Sequence, residues 1–157
     1  MKKVIFVSPI YNSSDHLGDL IESVKEQNNE NWEHIIIDDM STDDSLYHHL
    51  KYSRTKNNKD VIVAIIDGDD ALCNENTVNI LLNEYKTGID AAWTMHTWDI
   101  NNVNTSNEMA DIDPYQHPWV SSHLKTFRST LINNVSDANF KNLDNEWFTS
   151  GCDQALY

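Results

Sequence analysis

Glycine is scarce in this chain. There are four, at 18, 68, 88 and 151, and none follows the first apolar run, where a dinucleotide fold needs its GxGxxG turn and a P-loop its glycine-rich cradle. Both devices are excluded. Cysteine is equally thin. Cys73 and Cys152 lie far apart with no CxxC pair, so the sequence holds neither a disulfide framework nor a thiolate zinc site, and the two read as reduced thiols of a cytosolic protein. Positive charge is short as well, with 11 Lys and Arg against 25 Asp and Glu, a net charge of -14 and a pI of about 4.6. Nucleic-acid backbones and anionic membranes are repelled by such a surface, and no nucleic-acid partner is expected. No apolar run approaches the ~20 residues of a membrane span. The run at residues 4–7 stops at Ser8-Pro9, too soon for a signal peptide.

What remains is 157 residues, 39% hydrophobic and 10% aromatic, which suits one folded domain over residues 1–157 and not a disordered acidic tail. Apolar runs at 4–7, 32–37 and 61–66 read as buried parallel strands. Helical spacing follows each of them. Leu17, Leu20, Ile21 and Val24 follow the cap Ser13-Ser14-Asp15, a second helix runs from Ser41-Thr42-Asp43 to about residue 52, and Val78, Leu81, Leu82 and Tyr85 precede a closing Gly88. Residues 91–98 read as a fourth strand. This alternation predicts an α/β domain with a mostly parallel sheet flanked by helices. The second half is looser. Residues 101–118 form a long polar stretch with two prolines, of the kind that serves as a functional loop or lid. Residues 123–135, with Leu124, Phe127, Leu131 and Ile132 at core spacing, are expected to be helical.

In open α/β sheets, ligands bind beyond the carboxyl ends of the strands. Three segments collect there: Ser8 to Asn12, Asp38-Asp39, and Asp67-Gly68-Asp69-Asp70. Acids stacked at one edge repel unless a cation intervenes, and hard oxygen donors suit Mg²⁺ or Mn²⁺ bridging to a phosphorylated ligand. An EF-hand starting at Asp67 fails, because its sixth and twelfth positions are Leu72 and Val78. A receiver-type phosphoacceptor stays open as an alternative, although its acidic pair should follow the first strand. Adjacent His48 and His49 point different ways on a helix and read as a solvated face. Trp93 and Trp98 read as packing residues. Trp119 is placed either to stack on a sugar ring or to pack.

The series Val7-Ser8-Pro9-Ile10-Tyr11-Asn12, Ile36-Ile37-Asp38-Asp39-Met40-Ser41-Thr42-Asp43 and Ile66-Asp67-Gly68-Asp69-Asp70 resembles glycosyltransferase family 2. These are inverting enzymes of the GT-A fold, with P-x-Y-N, D-D-x-S-x-D and D-x-D motifs in this order. The second half is similar to a phage- and surface-polysaccharide branch through Leu81 to Tyr85, Trp93-Thr94, Ser122 to Arg128 and Gly151 to Leu156. The resemblance implies a Rossmann-like GT-A sheet and a nucleotide-sugar donor, with a UDP-sugar expected. It also implies a saccharide or other hydroxyl acceptor, Mn²⁺ or Mg²⁺ as cofactor, and the cytoplasm of a bacterial or phage-infected cell.

Carried over by position, Asp39 or Asp38 would bind the nucleobase, while Pro9 and Tyr11 would shape the nucleotide pocket. Asp67, Gly68 and Asp69 match D-x-D. Asp69 and Asp70 would touch ribose and metal, His123 would lie near donor and acceptor, and Asp153 would be the general base. The family's G-x-x-x-A-R-N helix is absent, and the chain stops soon after Asp153. These departures lead to the expectation of a C-terminally truncated domain that self-associates. They also leave a non-catalytic nucleotide-sugar-binding domain or accessory fragment as the alternative function.

Overall fold

Along β1 (Val4–Ile10) alternate side chains go to one side, and Val4, Phe6, Ser8 and Ile10 are buried there. In the computed structural model, described over residues 3–43, 61–112, 116–118, 120–121, 123–131, 136, 138, 141 and 143–145, this strand is the hub of a five-stranded sheet. It pairs in parallel with β2 (Trp32–Asp38) on one edge and with β3 (Ile62–Ile65) on the other. The three expected parallel strands are present with nearly the predicted bounds.

The helix α1 (Ser14–Lys25) lays Leu17, Leu20, Ile21 and Val24 on the buried face of the sheet, at the predicted spacing. Each such side chain contributes roughly 1.5–3 kcal/mol when taken from water. Ser13 occupies the N-cap position without a side-chain cap bond. The carboxylate of Asp43, from the loop after β2, accepts the Ser14 N–H instead at 3.0 Å. The helix α2 (Thr77–Glu84) buries Val78 and Leu81, continues as a 3-10 turn (Tyr85–Thr87) and ends at left-handed Gly88 with φ 99°. Its N-terminus is also capped from a distance. Buried Gln27 accepts the Val78 N–H with Oε1 and donates Nε2 to the Asn74 carbonyl, which locks the end of α1 to the start of α2.

The second half departs from expectation. The fourth strand is shorter than predicted, β4 (Ala91–Trp93). Within the stretch expected to be helical, residues Lys125–Arg128 are instead a strand, β5. It runs antiparallel between β3 and β4, giving the order β2-β1-β3-β5-β4. The spacing of Leu124 and Phe127 fits either period over so short a run, and pairing on both sides decides for the strand. Buried Thr126 donates to the Ala92 carbonyl and accepts from the Tyr85 hydroxyl, each at 2.9 Å, while Arg128 holds the carbonyls of Ile89 and Tyr85 at 2.8 Å. The sheet is therefore mixed but mostly parallel, with β5 alone reversed. This is the expected GT-A architecture.

Trp93 lies at the edge, its indole N–H on the Asn107 carbonyl at 3.0 Å, and Trp98 is exposed. Between them and residue 112 the chain makes a small excursion closed by a Thr97–Asn104 bridge. Among the described residues no helix is long and apolar enough to cross a membrane. The expected second helix with His48 and His49, Trp119, and the segment carrying Cys152 and Asp153 lie outside the described residues.

Candidate active site

The loops after β1 and β2 are stitched to each other by side chains of the first two motifs. Asn12, in the left-handed region at φ 49°, accepts the Thr42 N–H on its side-chain oxygen at 2.8 Å, and its own N–H donates to Ser41 Oγ at 3.0 Å. Ser41 in turn donates both its hydroxyl and its backbone N–H to the Asp38 carboxylate. Asp38 is thus spent on its own loop, whereas the neighbouring Asp39 carboxylate is exposed. Of the pair considered for the nucleobase, Asp39 is the open one. Pro9 and Tyr11 are exposed on the same rim, Tyr11 by 60%. Asn12, Ser41 and Asp43 matter as fasteners that the sequence reading left without a role.

After β3 the chain turns back on itself, with the Asp70 N–H on the Asp67 carbonyl at 3.1 Å. The first and fourth residues of such a turn converge while the third faces away. Asp67 and Asp70 accordingly converge, and Asp69 is exposed. Gly68 packs under the turn. A Cβ there would lie 2.8 Å from both Ile10 Cγ2 and Ser13 Oγ and 3.2 Å from Ser13 Cβ. Gly68→Ala is expected to cost about 1–3 kcal/mol through overpacking against a stiff β-branched neighbour. Chemical denaturation checks this, and an unchanged midpoint would mean that the turn relaxes freely.

The topology completes the site. Because β5 runs opposite to β3, its amino end lies at the carboxyl edge of the parallel strands, which brings in His123. Because β4 is reversed again, its carboxyl end arrives there too, which brings in His96. His123 Nε2 lies 3.5 Å from Asp67 Oδ2, and its Nδ1 lies 3.4 Å from Asp70 Oδ2. His96 Nε2 is 3.5 Å from Asp70 Oδ1. The two imidazoles meet edge to face with centroids 5.3 Å apart. Burial pushes the Asp70 carboxyl above its usual range, with the two histidines opposing and Asp67 and Asp69 adding to the rise.

One donor atom from each of Asp67, Asp70 and His123 fits within 4.8 Å, all three side chains half-buried. His123 Nδ1 is buried and makes no hydrogen bond despite the nearby carboxylate. A donor atom left over beside two carboxylates fits a divalent ion. One imidazole with two carboxylates suits Mn²⁺ better than Mg²⁺, which favours an all-oxygen shell. Asp70 was expected at the metal. It converges with Asp67 and His123, and Asp69 is not in that group. The sequence offered no motif for His96, and only the strand order reveals it.

The residues that build this edge carry a family signature. Residues 5–65 match the family model for glycosyl transferase family 2. The family likeness in sequence lies in that stretch, well under half of the chain. No curated protein matches the chain. Among solved structures, residues 1–349 of Staphylococcus aureus TarS in complex with UDP are similar over 98% of this chain and 53% of that one, at 20% identity and a TM-score of 0.72. The same TarS region in complex with UDP-GlcNAc is similar over 98% and 52%, at 21% identity and a TM-score of 0.67. The likeness is one of fold. The chain spans about half the length of these TarS structures. The family 2 match ends at the last residue of β3, so its model covers the first two motifs and stops short of the Asp67 turn and both histidines.

Proposed function

We propose that the chain is a metal-dependent glycosyltransferase domain that moves a sugar from a nucleotide-sugar, a UDP-sugar, to a hydroxyl of a saccharide acceptor with inversion. The convergence of Asp67, Asp70 and His123 beside the family 2 loops carries this reading. Two TarS structures of the same fold hold UDP and UDP-GlcNAc, which supports the choice of nucleotide. Asp67, Asp70 and His123 would hold Mn²⁺ or, less suitably, Mg²⁺. When bound, the ion supplies Lewis-acid neutralisation of the departing diphosphate.

The protein's own groups do the rest. Asp39 accepts a hydrogen bond from the nucleobase, and Tyr11 and Pro9 wall the nucleotide on the exposed rim. Asp153 takes the proton from the acceptor hydroxyl as that oxygen forms its bond to the anomeric carbon and the bond to the diphosphate oxygen breaks. One displacement with one base inverts the anomeric centre.

The test is UDP release from a panel of UDP-sugars with Mn²⁺ and saccharide acceptors. Asp153→Asn is expected to lower transfer at least a hundredfold, within the range of a lost general base, while changing UDP affinity little. Retained transfer would remove Asp153 from the mechanism. Mn²⁺-dependent UDP binding without any release would favour the alternative, a nucleotide-sugar-binding domain without catalysis.

A further inference from the structure

Asp70 is faced by two imidazoles. Its Oδ2 faces His123, among the three donor groups that converge, while its Oδ1 faces His96 Nε2 at 3.5 Å. A carboxylate that gives one oxygen to an ion keeps its orientation only if something holds the other, and such outer partners tune affinity nearly as strongly as the ligands themselves.

The His96 ring is fixed for this task. Thr105 Oγ1 lies 3.3 Å from both Nδ1 and the His96 carbonyl, which ties the ring to its own loop while Nε2 faces Asp70. The His96 N–H donates to buried Ser106 Oγ at 3.3 Å, Ser106 Oγ donates to the Thr94 carbonyl at 3.1 Å, and the Thr105 N–H returns to the His96 carbonyl at 2.9 Å. Trp98 and His123 pack against the ring at centroid distances of 6.1 and 5.3 Å. A histidine serving only the surface does not need both ring nitrogens and its backbone secured.

From this division of the Asp70 oxygens we infer that His96 is a positioning residue for the divalent-ion site, holding Asp70 Oδ1 so that Oδ2 is presented with Asp67 and His123. The inference rests on the proposed metal dependence. Titration calorimetry with Mn²⁺ alone, on the whole chain, tests it in wild type, His96→Ala and His96→Gln, with each melting temperature also measured in EDTA.

The expected result is Mn²⁺ affinity about 10–100-fold weaker in His96→Ala. Most of it should return in His96→Gln, whose amide N–H reaches where Nε2 was, with melting temperatures in EDTA close to wild type. Equal affinity in wild type and His96→Ala overturns the inference and leaves the metal site standing. Equal losses in the two variants also overturn it, since His96 would then be a ligand itself. A loss that tracks a lowered melting temperature in EDTA assigns His96 to structure alone. Absence of Mn²⁺ binding by wild type brings down the metal reading, and this inference with it.

Discussion

Asp70→Asn is expected to weaken Mn²⁺ binding by at least about a hundredfold and to remove the metal-dependent part of UDP affinity, while Asp69→Asn does neither to more than a small extent. A ligand carboxylate should cost at least as much as the strongest outer partners. The contrast follows from the turn at residues 67–70, which brings the first and last acids together and leaves the third exposed. Stability should move the other way. Burial and the neighbouring Asp67 and Asp69 hold the Asp70 carboxyl above its usual range, so without an ion its negative charge is disfavoured in the folded state. Removing that charge should leave the melting temperature in EDTA unchanged or raised. Calorimetry with Mn²⁺, then with UDP in its presence, decides the first part and a thermal scan the second. Equal Mn²⁺ affinity in wild type and Asp70→Asn would remove Asp70 from the site.

The second large effect lies in the core and depends on acid. His34 is buried on β2 with Nε2 2.9 Å from Ser8 Oγ and its ring edge-on to Phe6. Burial pushes the imidazole from 6.5 down to about 4. A histidine held neutral in the fold binds its proton more readily once unfolded. Stability is therefore fully present above about 6.5, declines as the pH falls from there to about 4, and loses no more from this group below that. The loss amounts to roughly 3 kcal/mol. Urea denaturation midpoints across this window should fall more steeply for wild type than for His34→Gln, because carboxylates are common to both. Parallel curves would show that His34 charges in the fold as easily as outside it.

Much of the first half was legible because its signals are redundant. Leu17, Leu20, Ile21 and Val24 repeat at helical spacing beside three apolar runs, and one arrangement satisfies them all. The three motifs could likewise be placed at one edge, since every parallel strand ends there. The second half gave weaker signals. Leu124 and Phe127 suit a helix or a strand, and the choice was made by partners about 60 residues earlier in β3 and more than 30 earlier in β4. The same ambiguity leaves His123, a candidate site residue by its motif, without a geometric link to the acids. In a helix, His123 has no reason to face Asp67, whereas at the start of a reversed strand it must. His96 required both reversals to be known. Asp69 was favoured over Asp67 because motif spacing says which acids are near in sequence, and the turn decides which are near in space.

The reversed strand divides the work of the site between two stretches of chain. The carboxylates come from the first seventy residues, and both imidazoles arrive from beyond residue 95. The proposed ion site therefore draws its carboxylates and its imidazoles from stretches of chain that can vary separately. Under the proposed function, substitutions around His96 and His123 would remake the imidazole half of that site and leave the turn at residues 67–70 in place.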